Sequence, residues 1–170
     1  MVKCAVLFDV CGGGSTYDFE GRVVDEAGNS SDKLDDSLTT SGGGTNIPDF
    51  GDDYTDAYDV GTVTAGTVFC GSLTTTGNNG NSWTGDQDWI EFNPASSSSM
   101  TFSLTWDGST GDYDLLLYNA SSLASPYAQS TSGGTVQPEE ITANVSATST
   151  YLLLAVGWEG SAGAWAISVD

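Results

Sequence analysis

The segment MTFSLTW, at residues 100–106, alternates apolar and polar side chains at every position. Its Met, Phe, Leu and Trp side chains fall on one parity, and its Thr and Ser side chains fall on the other. Because successive side chains of a strand point to opposite faces of the sheet, this period of two is typical of a half-buried β-strand. No window of about 10 residues or more shows helical periodicity, so the sequence predicts an all-β fold.

Further short apolar segments predict strands, and clusters of Gly, Asn, Ser and Pro between them predict turns. The predicted strands are 67–73, 88–92, 114–118, 140–145, 151–156 and 164–169, in addition to 100–106. The segment YLLLAV, at 151–156, is apolar on both faces, which predicts a central strand. Short strands separated by turns in this way predict an antiparallel β-sandwich, of the jelly-roll kind, over residues 49–170.

Residues 1–48 form a separate region in this prediction. The apolar segment MVKCAVLFDV, at 1–10, is rich in strand formers, and the Gly/Ser/Asp-rich arm that follows it predicts a linker with a short strand at 19–24. The N-terminal strand either completes its own sandwich or is donated to the open sheet edge of a neighbouring subunit. Donation would use Cys4, Val6 and Phe8 as assembly residues and would build a head-to-tail homopolymer, in which Cys4 is placed for a crosslink.

The charge balance excludes several classes of function. Lys and Arg total 3 against 23 Asp and Glu, His is absent, and no basic residue follows Lys33. Nucleic acid is therefore not an expected partner, because phosphate binding needs Lys and Arg. Without His, the chain lacks the usual general base, so Ser/His/Asp triads and Cys/His zinc sites are excluded. Carboxylate pairs are inevitable among so many acids, and we expect the protein not to be an enzyme.

The composition also indicates where the protein acts. Abundant Gly, Ser, Thr and Asn with few basic residues predict an extracellular or cell-surface protein. Cys4, Cys11 and Cys70 are an odd set that permits one disulfide, and their pairing stays open. No apolar segment approaches the length that a transmembrane helix needs, so no membrane insertion is expected.

Four landmarks follow one another between residues 49 and 170: GDDYTDAYDVG at 51–61, DQDWIEF at 86–92, MTFSLTWDGSTGDYDLLLYN at 100–119 and TSTYLLLAVGWEGSAGAWAISV at 148–169. In their order and spacing they resemble the bacterial pre-peptidase C-terminal domain. That domain is a small β-sandwich appended to many secreted peptidases and is related to the collagen-binding modules of collagenases. The resemblance implies a non-catalytic extracellular module.

The resemblance also implies a calcium site where the acidic lead-in meets the DQDW strand. Carried over by position, the implied ligands are Asp52, Asp53, Asp86 and Asp88, with Asp49 and Asp56 as weaker candidates. Loops dense in Asp and Asn supply the oxygen ligands that calcium takes. Strand alternation points Asp86 and Asp88 to one face, where a cation would relieve their repulsion.

Asp112 and Asp114, in GDYDL, are a second candidate pair for calcium. The same residues also suit a hairpin turn. The alternative for all these acids is that they end strands and prevent edge aggregation, with no ligand.

Two tryptophans are candidates for ligand contact. Trp83 and Trp158 lie beside Gly in predicted loops, so we expect them to be exposed, whereas Trp106 and Trp165 are in register with core residues. The sequence thus favours a calcium-stabilised structural or adhesive protein that self-assembles into a filament or surface layer through its N-terminal strand. The alternative is a monomeric module that binds an extracellular carbohydrate or matrix protein.

Overall fold

The computed structural model describes residues 50–107, 110–134 and 136–170, together with the backbone of three strands at 16–21, 34–39 and 44–46. The predicted assembly residues Cys4, Val6 and Phe8 lie outside the described residues, as does the weaker metal candidate Asp49. Their predicted roles therefore stay predictions.

The chain divides into two compact units, Met1–Gly44 and Thr45–Asp170. The first unit contains an antiparallel ribbon of β1 (Thr16–Gly21) and β2 (Leu34–Thr39). Thr16 lies opposite Thr39 in this ribbon, and Gly21 lies opposite Leu34. The strand predicted at 19–24 is observed at Thr16–Gly21, three residues earlier in the sequence.

The remaining strands form two five-stranded sheets. They are β3 (Gly44–Asn46), β4 (Tyr58–Val63), β5 (Val68–Ser72), β6 (Gln87–Pro94), β7 (Ser98–Trp106), β8 (Asp112–Asn119), β9 (Ala128–Ser130), β10 (Glu139–Val145), β11 (Tyr151–Glu159) and β12 (Ala164–Val169). The first sheet has the order β10-β7-β12-β5-β3, and the second has the order β4-β6-β11-β8-β9. The described residues contain no helix, which confirms the predicted all-β sandwich; accordingly, no helix in this part of the chain could cross a membrane.

The main core lies between these two sheets. Phe102 and Leu104 of β7 are fully buried, as the period-two pattern predicted, and they join one apolar cluster with Phe92 of β6 and Leu153 of β11. Burying side chains of this size stabilises the fold by about 1.5–3 kcal/mol each. Trp106 and Trp165 also belong to this cluster, which confirms that they are core residues.

Strand β11 is central in the second sheet, as predicted from YLLLAV, because it pairs with β6 on one side and β8 on the other. Leu153 faces the main core, whereas Leu152, Leu154 and Val156 form a smaller apolar cluster on the outer face of the sheet. Loop residues, among them Trp83, pack against this outer cluster. The outer face is therefore partly covered.

Neither edge strand of the second sheet was predicted, and β2 and the edge strand β3 of the first sheet were not predicted either. β4 and β9 lie at opposite edges of the second sheet, and most of their side chains are exposed or half-buried. β4 pairs with β6 in parallel and with a shift in register. When both faces of a short strand are partly exposed to solvent, its sequence shows no clear alternation of apolar and polar residues. The sequence pattern therefore did not predict β4 and β9.

Candidate functional site

The acidic lead-in and the DQDW strand do meet, and Asp88 joins them. Its Oδ1 accepts a hydrogen bond from the Phe50 backbone N–H at 3.3 Å, and its Oδ2 accepts one from Trp165 Nε1 at 2.6 Å. The side chain is 1% exposed. Both carboxylate oxygens are therefore held by N–H donors, so Asp88 links the lead-in to the core beneath β6.

The other predicted metal ligands lie in the lead-in and at the start of the DQDW segment. Asp53 Oδ1 accepts a hydrogen bond from the Thr55 backbone N–H at 2.8 Å, and Asp56 Oδ1 accepts one from the Asp53 N–H at 3.0 Å. Asp86 Oδ2 accepts from the backbone N–H and the hydroxyl of Thr74, at 2.5 and 2.8 Å. Asp52 is exposed. Asp53 and Asp56 therefore stabilise a turn, as Asp side chains commonly do, whereas Asp86 holds the loop that carries Thr74.

The donor set at the lead-in does not fit a calcium site built from the predicted carboxylates alone. No group of three or more His, Cys, Asp or Glu side chains in the described part of the chain is arranged to hold a metal ion. Each oxygen of Asp88 already accepts one N–H hydrogen bond, so one lone pair on each is committed to the protein. A calcium ligand role for these residues stays a prediction.

A pocket lies elsewhere, on the outer face of the second sheet. It has a volume of about 280 Å³ and is lined by Trp83, Asp112, Asp114, Gln129, Thr131, Gly133 and Trp158. Asp112 and Asp114 share the parity of Leu116, a member of the outer cluster, so β8 turns these carboxylates away from the main core. Two residues predicted as metal ligands and two predicted as binding aromatics thus meet in one cavity.

The two tryptophan rings contact each other in the wall of the pocket. Their centroids lie 6.0 Å apart and their planes meet at 84°. A turn carries Trp83, since Asn78 and Trp83 pair across it, and Asn78 Nδ2 donates to the carbonyl of Trp158 at 2.9 Å. Trp158 lies on β11 rather than in a loop, and both rings are half-buried, which corrects the prediction of exposed loop aromatics.

The floor of the pocket is acidic and buried. Asp112 and Asp114 are each 5% exposed, and Asp114 Oδ2 accepts a hydrogen bond from Trp83 Nε1 at 2.6 Å. Oδ1 of Asp112 has no hydrogen-bond partner among the residues that the structure describes. An unpaired oxygen in a buried carboxylate is unusual, because its lost hydration is not replaced.

Glu139 is a third buried carboxylate near this floor. It is 0% exposed; its Oε1 accepts a hydrogen bond from the Ser132 N–H at 3.0 Å, and its Oε2 accepts one from the Ser130 hydroxyl. The pKa of Asp114 is raised to about 6. Burial is the largest cause, the hydrogen bond from the Trp83 N–H acts in the opposite direction, and the negative charges of Asp112 and Glu139 add to the increase. Ionisation of Asp114 in the pocket is therefore unfavourable.

Several pocket residues escaped the sequence analysis. Gln129 and Thr131 come from the edge strand β9 and the segment after it. Glu139, which begins β10, does not line the pocket, but its charge acts on Asp114. No local pattern distinguishes them from surface residues. Gln129 lies opposite Leu116 in the β8–β9 pairing, and only that pairing brings it to the outer face.

The raised pKa of Asp114 predicts a stability change with pH. The folded-state pKa of about 6 lies above the ordinary value of 3.8, so the native state loses stability as pH rises through this interval. At pH 7.5 the variant Asp114→Asn lacks the unfavourable buried charge, so we expect it to be more stable than the native protein by about 1 kcal/mol. The gain is smaller than the full pKa shift implies, because solvent at the pocket mouth screens the charge. The difference should vanish below about pH 4. Thermal unfolding of both proteins between pH 3.5 and 8 tests this, and a difference independent of pH would contradict it.

Cys70, on β5, is disulfide-bonded and 2% exposed. The sequence permitted one disulfide but did not show which cysteines form it. Among the residues that the structure describes, Cys70 is a member of a disulfide.

The chain matches no family model, and no curated protein is similar to it. Among solved structures it is similar to the pre-peptidase C-terminal domain of collagenase from Bacillus anthracis, with 19% sequence identity, a TM-score of 0.46, and coverage of 66% of this chain and 93% of that one. It is also similar to PliG of Aeromonas hydrophila, a periplasmic lysozyme inhibitor of g-type lysozyme. There the identity is 15%, the TM-score is 0.38, and the match covers 66% of this chain and 98% of that one.

The first of these two structures is of the domain type that the sequence motifs resemble, at low identity. The sandwich itself rests on the strand order and burial described above.

Proposed function

We propose that this chain is a non-catalytic extracellular binding module, and that the pocket lined by Trp83, Trp158, Asp112 and Asp114 is its binding site. One observation carries the proposal: four candidate residues, from the 78–83 turn, β8 and β11, line a single cavity of about 280 Å³. Concave sites with aromatic walls and a few polar groups are the usual form of ligand pockets. Disulfide-bonded Cys70 supports an oxidising, extracellular setting.

The arrangement of the carboxylates supports binding rather than hydrolysis. Glycosidases place two acids on opposite sides of the bond that they cleave, with different protonation states. Asp112 and Asp114 instead lie two positions apart on one strand and both form the pocket floor. The sequence has no histidine to serve as a base.

A binding screen tests the proposal. Glycan and matrix-protein arrays should contain ligands that the native protein binds and that Trp158→Ala binds at least about tenfold more weakly, since aromatic contacts dominate small sites. Tyr54→Ala is the matched control, because Tyr54 is an exposed aromatic (47%) that does not line the pocket. If Tyr54→Ala loses binding and Trp158→Ala retains it, the site lies elsewhere.

Calcium stabilisation is part of the proposal. The chain carries a formal charge of −20, and bound cations would reduce the self-repulsion of the fold. At 100 times its dissociation constant, an ion adds about 2.7 kcal/mol to stability. We expect the melting temperature in millimolar calcium to fall when chelator is added, and magnesium at equal ionic strength controls for screening. An unchanged melting temperature would rule out calcium stabilisation.

Self-assembly through the N-terminal strand, which the sequence favoured over the monomeric binding module, is the second candidate function, and its residues lie outside the described part of the chain. Electron microscopy of the purified protein tests it. Fibres that disappear when residues 1–11 are deleted would favour assembly over the binding module.

A further inference from the structure

The pocket floor carries negative charge for which the described residues provide no basic partner. Asp112 Oδ1 is buried without a hydrogen-bond partner among them, and Asp114 lies beside it on the same face of β8. No Lys, Arg or His follows Lys33 in the sequence. A buried acceptor without a donor destabilises a protein by about 1–3 kcal/mol, and by more when it is charged. A ligand that brings both positive charge and N–H donors into the pocket would offset the charge of the two carboxylates.

The walls of the pocket select the kind of cation. The rings of Trp83 and Trp158 meet almost at right angles, so two indole surfaces border the cavity in different orientations. Aromatic faces attract organic cations within about 6 Å, most strongly when the aromatic group is Trp. Calcium instead takes about six to eight oxygen ligands, which indole rings do not provide. The described residues also contain no group of three or more acidic, His or Cys side chains placed for a metal.

A guanidinium group matches both the floor and the walls. It is planar, always charged and carries five N–H donors, and it pairs with carboxylates through parallel hydrogen bonds while its face stacks on aromatic rings. Trp83 Nε1 holds one oxygen of Asp114 in place at 2.6 Å, so the floor is already oriented before a ligand arrives. The cavity of about 280 Å³ has room for the group and the carbon chain that carries it.

We propose that the pocket binds a guanidinium group, which pairs with Asp112 and Asp114 and packs against Trp83 and Trp158. The inference rests on the proposed binding function and names the chemistry that its site selects. The group comes either from an arginine side chain on the surface of another protein or from a small free guanidine. Both sources present the same atoms to the pocket.

The test compares charged and neutral probes of the same shape. Nα-acetyl-arginine amide is titrated into the full chain, and the indole N–H signals of Trp83 and Trp158 are followed by NMR. Nα-acetyl-citrulline amide, in which an uncharged urea replaces the guanidinium, is the matched control. We expect the arginine probe to shift both signals and to bind at least about tenfold more tightly than the citrulline probe, with affinity that falls as salt is added.

A variant pair locates the charge that the probe contacts. Asp112→Asn should weaken binding of the arginine probe at least tenfold without unfolding the protein, because it removes a buried charge that has no partner. Asp107→Asn makes the same change of charge at an exposed residue and should bind as the native protein does. N-ethylguanidine and the peptide acetyl-Gly-Arg-Gly-amide then separate the two sources: tighter peptide binding indicates a protein partner, and equal binding indicates a free guanidine.

The results also separate this inference from the proposed function. Equal binding of the arginine and citrulline probes, or displacement of the arginine probe by millimolar calcium, would overturn the guanidinium inference. If a neutral glycan binds through Trp158 while the arginine probe does not bind, the binding module stands and the inference fails. If no array ligand and no probe perturbs either tryptophan, both fail.

Discussion

Replacing Asp88 with alanine is expected to destabilise the protein by about 2–5 kcal/mol at pH 7, because two buried N–H donors lose their acceptor. Those donors are the Phe50 backbone N–H and Trp165 Nε1, at 3.3 and 2.6 Å. Trp165 is 1% exposed and Phe50 is 0% exposed, so water cannot readily replace the lost carboxylate. Denaturant unfolding at constant calcium measures the change.

Two further variants sharpen this experiment. Asp88→Asn keeps the shape but turns an NH2 group toward one of the two donors, so we expect a smaller loss, of about 1–3 kcal/mol. Asp107→Ala removes an exposed acid and should change stability by less than about 0.5 kcal/mol.

The same variants distinguish the structural role of Asp88 from the calcium role that the sequence suggested. If Asp88 acts through its hydrogen bonds, the loss in Asp88→Ala has the same size with calcium and with chelator. A loss that appears only in calcium would identify Asp88 as a metal ligand and contradict the structural role.

Replacing Gly160 with alanine is expected to destabilise the protein by about 2–6 kcal/mol, and to lower the melting temperature by roughly 5–20 °C. Gly160 has a φ of +86°, which residues with a Cβ rarely adopt. An added Cβ would collide with the Thr110 carbonyl oxygen and lie 2.7 Å from its carbon. Backbone atoms cannot move aside as the end of a flexible side chain can.

The Gly160 variant should also weaken binding at the pocket. The turn after β11 follows Trp158, and the Gly111 backbone that it contacts precedes Asp112. Thr76 Oγ1 donates to the carbonyl of Gly160 at 2.7 Å, which connects this turn to the loop before β6. Displacing the turn would therefore separate the two sides of the pocket, and titration of Gly160→Ala with Nα-acetyl-arginine amide measures the effect.

Gly163 provides the matched control in the same turn. Its φ is not positive, and a Cβ added there would have no atom within 4 Å. We expect Gly163→Ala to change stability by less than about 0.5 kcal/mol. Melting temperatures of the two alanine variants within about 2 °C of each other would contradict the role assigned to the close approach at Gly160.

Sequence pattern alone predicted the strands in which at least one face is continuously apolar. The alternation of MTFSLTW predicted β7, and the two apolar faces of YLLLAV predicted the central position of β11. These predictions succeed because the side-chain period of a strand is a local property that burial on one or both faces imposes. The tryptophans of the pocket were also found from local context, as aromatic residues beside glycine.

The partners of the buried acids were decided only by the tertiary structure. Asp88 contacts residues 38 and 77 positions away in the chain, and Trp83 meets Asp114 from 31 positions away. The sequence identified these carboxylates as unusual. The same Asp-x-Asp motif, however, provides a structural link at β6 and the floor of the pocket at β8. The physical reason is that the state of a buried carboxylate depends on which donors sheet register and loop packing bring to it, and neither is a local property of the chain.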